Sequence, residues 1–121
     1  ASVVRMSVDE HDRMLAMTSH LPHMLAFWLV DLLAGASDRD EMLRYAAGGF
    51  RDFTRIASSD PVMWRDICLG NRTALLEALG AYRGDLETLS EAVASADGEA
   101  LEAIFSRAKQ TRDAYRHWFE T

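Results

Sequence analysis

Between Leu15 and Leu33 this chain sets apolar side chains at almost every angular position of a helix. Leu15, Met17, Leu21, Met24, Leu25, Phe27, Trp28, Leu29, Leu32 and Leu33 leave no broad polar face. A helix that is apolar all round has to be buried all round. A bilayer does not supply that cover, because the run from Met24 to Ala34 is interrupted by Asp31 and falls short of the roughly 20 residues a span requires. The helix therefore needs protein on every side. The chain has 121 residues, a single-domain length, and no segment alternates apolar and polar as a half-buried strand does. The fold class is all-α.

The remaining elements follow from capping and breaking residues. Ala1-Ser2-Val3-Val4 is short and strand-like without a partner strand, so residues 1–8 are read as a linker or leftover edge of an upstream domain, with the helical domain over 9–121. Asp9 offers an N-cap for a first helix from Glu10 to Ala34, ended by Gly35 as a C′ glycine. Ser37 or Asp38 starts a second helix through Ala47, and Gly48-Gly49 breaks it before a third piece from Phe50 to Ala57. Asp60-Pro61 is a strong start signal, and the apolar period from there predicts one helix to about Ala96, weakened at Gly70, Gly80 and Gly84. Asp97-Gly98 separates a final helix from Glu99 to Phe119. A helix of about 36 residues would be roughly 54 Å long, against about 35 Å for a compact domain of this size. Its leucine faces, and the all-round apolar first helix, point to an intertwined homodimer.

Composition excludes several classes. A formal net charge of -6 argues against a nucleic-acid partner, which needs a basic face. The single cysteine, Cys68, permits no internal disulfide, and no charged segment followed by an apolar one opens the chain as a leader. Neither a membrane nor a nucleic acid is expected as partner, and a cytoplasmic location is.

Two constellations carry chemistry. The first is His11-Asp12-x3-Ala16-x2-Ser19-His20-Leu21-Pro22-His23. His20 and His23 share a helix face, and Pro22 between them loosens the turn that carries them. On the residues alone the pair also reads as hydrogen-bonded core or interface histidines. A metal site needs three or four ligands, and thiolates are scarce here, so none is assigned. The second block is Gly48-Gly49-Phe50-Arg51-Asp52-Phe53-Thr54-Arg55. Arg51 and Arg55, four apart, put two like charges on one face, which calls for an anion or a carboxylate between them; a guanidinium fork matches a carboxylate bidentately. The plainer reading is a solvated basic patch with Asp52 as counter-ion. Missing Cβ atoms at Gly48-Gly49 either break a helix or admit a ligand close to the backbone. Trp64, with Met63 and Phe53, reads as core or interface.

Together, His11 to His23 and Tyr45 to Ile67 resemble the C-terminal dimerisation domain of prephenate dehydrogenase, similar to the helical domains of the 6-phosphogluconate dehydrogenase group. The resemblance covers essentially the whole chain and implies an upstream Rossmann domain, with the active site in the cleft between the two. It implies that Arg55 grips a substrate carboxylate, that His23 contacts substrate, that Gly48 lines the ligand cavity and that Arg51 approaches substrate from the partner. His20 and Asp52 would belong to an ionic network, Asp52 reaching in from the partner subunit. No catalytic residue is assigned to this chain. The chain carries no G-x-G-x-x-G, so NAD or NADP and the catalytic histidine are expected on the upstream domain, and this chain alone is expected to be inactive. The implied reaction converts prephenate and NAD(P)+ to 4-hydroxyphenylpyruvate, CO2 and NAD(P)H in tyrosine biosynthesis, with tyrosine a candidate feedback inhibitor. Arogenate or cyclohexadienyl dehydrogenase, with or without a fused 3-phosphoshikimate 1-carboxyvinyltransferase, fits equally. The alternative from another class is a stand-alone helical ligand-sensing dimerisation module.

Overall fold

Ser7, not Asp9, starts the first helix. Its hydroxyl accepts from the backbone N–H of Glu10 at 3.1 Å, which satisfies one of the orphan donors of the first turn. Asp9 and Glu10 instead occupy that turn, where the helix dipole favours carboxylates. The computed structural model describes residues 5–119; the strand-like stub at 1–4 lies outside the described residues.

Helix α1 spans Val8–Leu15, and a single π-helical turn, Ala16–His20, joins it to α2, Leu21–Ala34. In that turn the Leu21 N–H reaches back to the carbonyl of Ala16, one residue beyond α spacing. Pro22 is the cause: it has no N–H to give, and its ring crowds the turn before it. Two side chains bond back to carbonyls one turn before them. Thr18 Oγ1 donates to Met14 O at 2.7 Å, and His23 Nδ1 lies 2.9 Å from Ser19 O. At its far end α2 stops at Gly35, whose φ of -80° is right-handed. The left-handed glycine stop is thus replaced by tightened bonds from Gly35 N to Leu32 O and Ala36 N to Leu33 O, at 3.3 and 3.0 Å.

Helix α3, Arg39–Arg44, is shorter than predicted and ends at Tyr45. Gly48 and Gly49 do not break a helix; they open α4, Gly48–Thr54, after an extended Ala47, and a 3-10 turn, Arg55–Ser58, follows. Helix α2 packs against α3, α4 and this turn. Asp60 and Pro61 start α5, Pro61–Gly70, as predicted, with the Asp60 carboxylate accepting from Val62 N at 3.1 Å.

The largest correction lies beyond α5. The predicted continuous helix is broken at Asn71 (φ -125°, ψ 41°), and α6 runs from Arg72 to Ala94. Gly70 and Asn71 are both poor helix formers, and the Asn71 amide is used across the fold, donating to Asp12 O at 2.8 Å. At 23 residues α6 is roughly 35 Å long, so the argument for a dimer from a protruding helix loses its premise. Bare apolar surface carries it instead. No large side chain among the described residues is fully buried, while Trp28 and Leu32 on α2 are 69% and 68% exposed. Covering the Trp28 ring alone would contribute about 3 kcal/mol at the usual yield per apolar area.

The chain divides into two compact units, Ala1–Gly80 and Ala81–Thr121. The first has a small core of Ala16, Leu21 and Ala78 with Leu25, Ala74 and Leu79 packed around it. In the second, α6 closes with a Schellman arrangement, Asp97 N to Ala92 O and Ala96 N to Val93 O, at 2.9 and 3.1 Å. Ala96 takes the left-handed position at φ 53°. Asp97 then caps α7, Gly98–Ala114, by accepting from Ala100 N. The predicted final helix breaks at Tyr115, and α8, Arg116–Phe119, is held back by Arg112, whose guanidinium lies 3.9 Å over the Phe119 ring. Among the described residues there is no strand, and no helix is long and apolar enough to cross a membrane.

Candidate functional site

Trp64 sits one turn into α5, so the Asp60-Pro61 start fixes its place, and it is buried at 8% exposure. Two imidazoles meet its indole. His23, on the first turn of α2, stacks flat on it with ring centroids 3.9 Å apart and planes 18° apart. His20, the last residue of the π-helical turn, meets it edge-on at 6.1 Å and 79°. Both arrangements are favourable for aromatic quadrupoles. His20 closes the π-helical turn and His23 follows three residues later on α2, a helical spacing that puts both rings on the side facing α5.

Hydrogen bonds fix both rings. A carbonyl can only accept, so His23 Nδ1 carries a proton and donates it to Ser19 O. His20 Nδ1 pairs with Asn71 Nδ2 at 3.3 Å. Burial pushes the His20 pKa below the usual imidazole value, and the nearby His23 pushes the same way, while Asp12 opposes them. Sequence reasoning brought His20 and His23 together correctly, but it left Trp64 as packing alone and missed Asn71 inside an apparently continuous helix. The Gly70-Asn71 dipeptide was the available signal. His11 stands apart, paired at 3.6 Å with Asp12 on an exposed face.

The second constellation lies on the elements that pack against α2. Gly48 opens α4, and a Cβ built on it would meet nothing within 4 Å in one protomer. Arg51 and Asp52 are on α4 and Arg55 begins the 3-10 turn; all three are exposed. Among the described residues none of the three makes an ion pair, so one protomer does not bring Asp52 to His20.

Trp64 also borders an apolar groove of about 550 Å³ between α2 and α5, lined by Met24, Phe27, Trp28, Arg65 and Cys68 among others. The indole Nε1–H is buried and meets no acceptor among the described residues, at an expected cost of about 1–3 kcal/mol unless another surface or ligand supplies one. Cys68 is half-buried, and burial pushes its thiol pKa up, which makes it an unreactive lining group. Among the described residues no three His, Cys, Asp or Glu side chains gather as a metal site would require.

An all-helical chain with thin internal cores, bare apolar faces and one imidazole–indole cluster has the character of a dimerisation domain that also lines a site. A family model, prephenate dehydrogenase, dimerization domain, matches residues 7–107, and the chain belongs to that family. It is 43% identical over 113 residues to the cyclohexadienyl dehydrogenase of Zymomonas mobilis, covering 92% of this chain and 39% of the relative. The crystal structure of prephenate dehydrogenase from A. aeolicus, in complex with hydroxyphenyl propionate and NAD+, superposes with a TM-score of 0.86 at 39% identity, over 93% of this chain and 40% of that one. Synechocystis arogenate dehydrogenase gives 0.89 at 27% identity, over 95% and 42%. The chain thus spans well under half the length of the proteins it matches.

Proposed function

We propose that this chain is the substrate-gripping and dimer-forming part of a prephenate dehydrogenase, which converts prephenate and NAD(P)+ to 4-hydroxyphenylpyruvate, CO2 and NAD(P)H. The observation that carries the reading is the flat stack of His23 on the buried Trp64, on a helix against which the turn bearing Arg55 is packed. Prephenate is a dicarboxylate with a ring, and a guanidinium with a rigid aromatic and imidazole wall suits both of its features. Arg55 takes a carboxylate, His23 contacts the substrate, and Gly48 leaves room beside the backbone. Arg51 approaches from the partner subunit. His20 and Asp52 belong to the polar network around the site, Asp52 reaching it across the dimer. The homodimer covers Trp28 and Leu32.

The residues described here do not fit a dinucleotide. They contain no strand and no glycine-rich strand-to-helix turn that would cradle a pyrophosphate, so NAD(P) and the group that handles the ring hydroxyl are assigned to a segment outside them. This chain's share is binding, orientation and charge.

Arogenate as substrate is the second reading, favoured by the likeness to an arogenate and a cyclohexadienyl dehydrogenase; tyrosine, whose phenol matches that of the aromatic product, is the inhibitor to try. The test is turnover by the intact protein, following NAD(P)H with prephenate and with arogenate. Turnover with either supports the reading and selects the substrate. A folded dimer that turns over neither is a ligand-sensing module.

A further inference from the structure

We infer that Asn71 is a positioning residue whose side-chain amide locks His20 as a neutral imidazole carrying its proton on Nε2. The carbonyl of Asp12 can only accept, so the amide edge 2.8 Å from it is the NH2 of Asn71. The same nitrogen lies 3.3 Å from His20 Nδ1, and an amide NH2 can only donate. His20 Nδ1 therefore presents its lone pair, which leaves the ring proton on Nε2. Protonating His20 at Nδ1 would set two donors face to face and break this bond inside a buried contact. The titratable groups around the ring are Asp12 from α1 and His23 from α2; Trp64 of α5 and Asn71 at the α5–α6 break are uncharged.

The break in the helix at Asn71 gains a purpose, because a continuous helix would not turn this amide toward α1. Two imidazoles that touch one indole are also made unlike. His23 donates from Nδ1 to Ser19 O, whereas His20 accepts at Nδ1 and holds its proton on Nε2. Asn71 thus fixes His20 as an uncharged donor beside the substrate, a placement that rests on the function proposed above; the tautomer itself does not.

The test is a two-bond proton–nitrogen correlation spectrum of the intact protein labelled with 15N-histidine, with His20 assigned by its loss in His20→Gln. The expected wild-type signature is an unprotonated Nδ1 and a protonated Nε2, persisting as the pH falls through the ordinary histidine range. In Asn71→Ala the lock opens and His20 samples both tautomers. In Asn71→Asp a carboxylate replaces the amide, so His20 takes a second proton and its titration moves up by about 1–3 pH units, adding a matching limb to the pH profile of KM. A wild-type His20 protonated on Nδ1, or a tautomer unchanged in Asn71→Ala, overturns the inference. The wild-type spectrum decides alone if the variants do not fold. A locked His20 in a protein without turnover refutes the proposed function only, and an unlocked His20 in an active enzyme refutes this inference only.

Discussion

Replacing Trp64 and His23 singly and together measures how much the imidazole–indole stack holds. Trp64 is 8% exposed, so Trp64→Ala is expected to cost about 3–5 kcal/mol, from lost burial plus the cavity left behind. Part of that is specific to His23, whose ring lies parallel to the indole at 3.9 Å; an aromatic pair in such contact contributes about 0.5–1.5 kcal/mol beyond area. Trp64→Ala in a His23→Ala background should therefore cost less than in the wild type by that amount. The assay is urea unfolding at fixed protein concentration, since a dimer's midpoint moves with concentration. A coupling below about 0.3–0.5 kcal/mol, the range in which independent sites simply add, would refute the claim that the stack organises the site.

Three further outcomes follow from the same geometry. Ala96→Gly removes a Cβ from a left-handed position at φ 53° while keeping both Schellman bonds, so stability should rise by about 0.5–1 kcal/mol; a fall in melting temperature would contradict it. The His20 pKa is lowered in the fold, so the unfolded chain binds the proton more readily. Stability is then retained above the unfolded pKa and lost as pH falls below it, levelling off beneath the folded pKa, with a slope of at most about 1.4 kcal/mol per pH unit. Unfolding curves of wild type and His20→Gln across mildly acidic pH should diverge in that sense, and parallel curves would dismiss it. Gly48→Ala adds a Cβ that meets nothing in one protomer, at a negative φ. The stability of the chain should change by no more than about 1 kcal/mol while KM of the intact enzyme rises; an unchanged KM removes Gly48 from the ligand cavity.

The fold class and the placing of His20 and His23 on one side of their helix were legible because they depend on local chemistry. Pro22 announced the loosened turn, and Asp60-Pro61 announced α5 and hence the level of Trp64. The caps were less so. Ser7 and Asp9 are both good N-cap residues, and the choice between them depends on where the chain first turns, which spacing does not state. Gly35 looked like a left-handed stop, yet a right-handed closing turn needs no glycine at all. The break at Asn71 was easy to pass over because the apolar period continues across it; Gly70-Asn71 was the one local signal, and the bond to Asp12 O shows what the break serves. The partnership of His20 with Asn71 spans 51 residues, beyond any local pattern. How Arg51, Asp52 and Arg55 meet the histidines was not legible, since one protomer does not join them by an ion pair among the described residues.

The most direct measurement is the kinetics of Arg55→Ala in the intact enzyme with its better substrate. A charge-assisted pair to a carboxylate is worth about 1.5–3 kcal/mol, which predicts KM higher by roughly 10- to 150-fold with kcat changed far less. An unchanged KM would mean that Arg55 does not hold the substrate, and the account of this chain as the gripping half of the enzyme would fail.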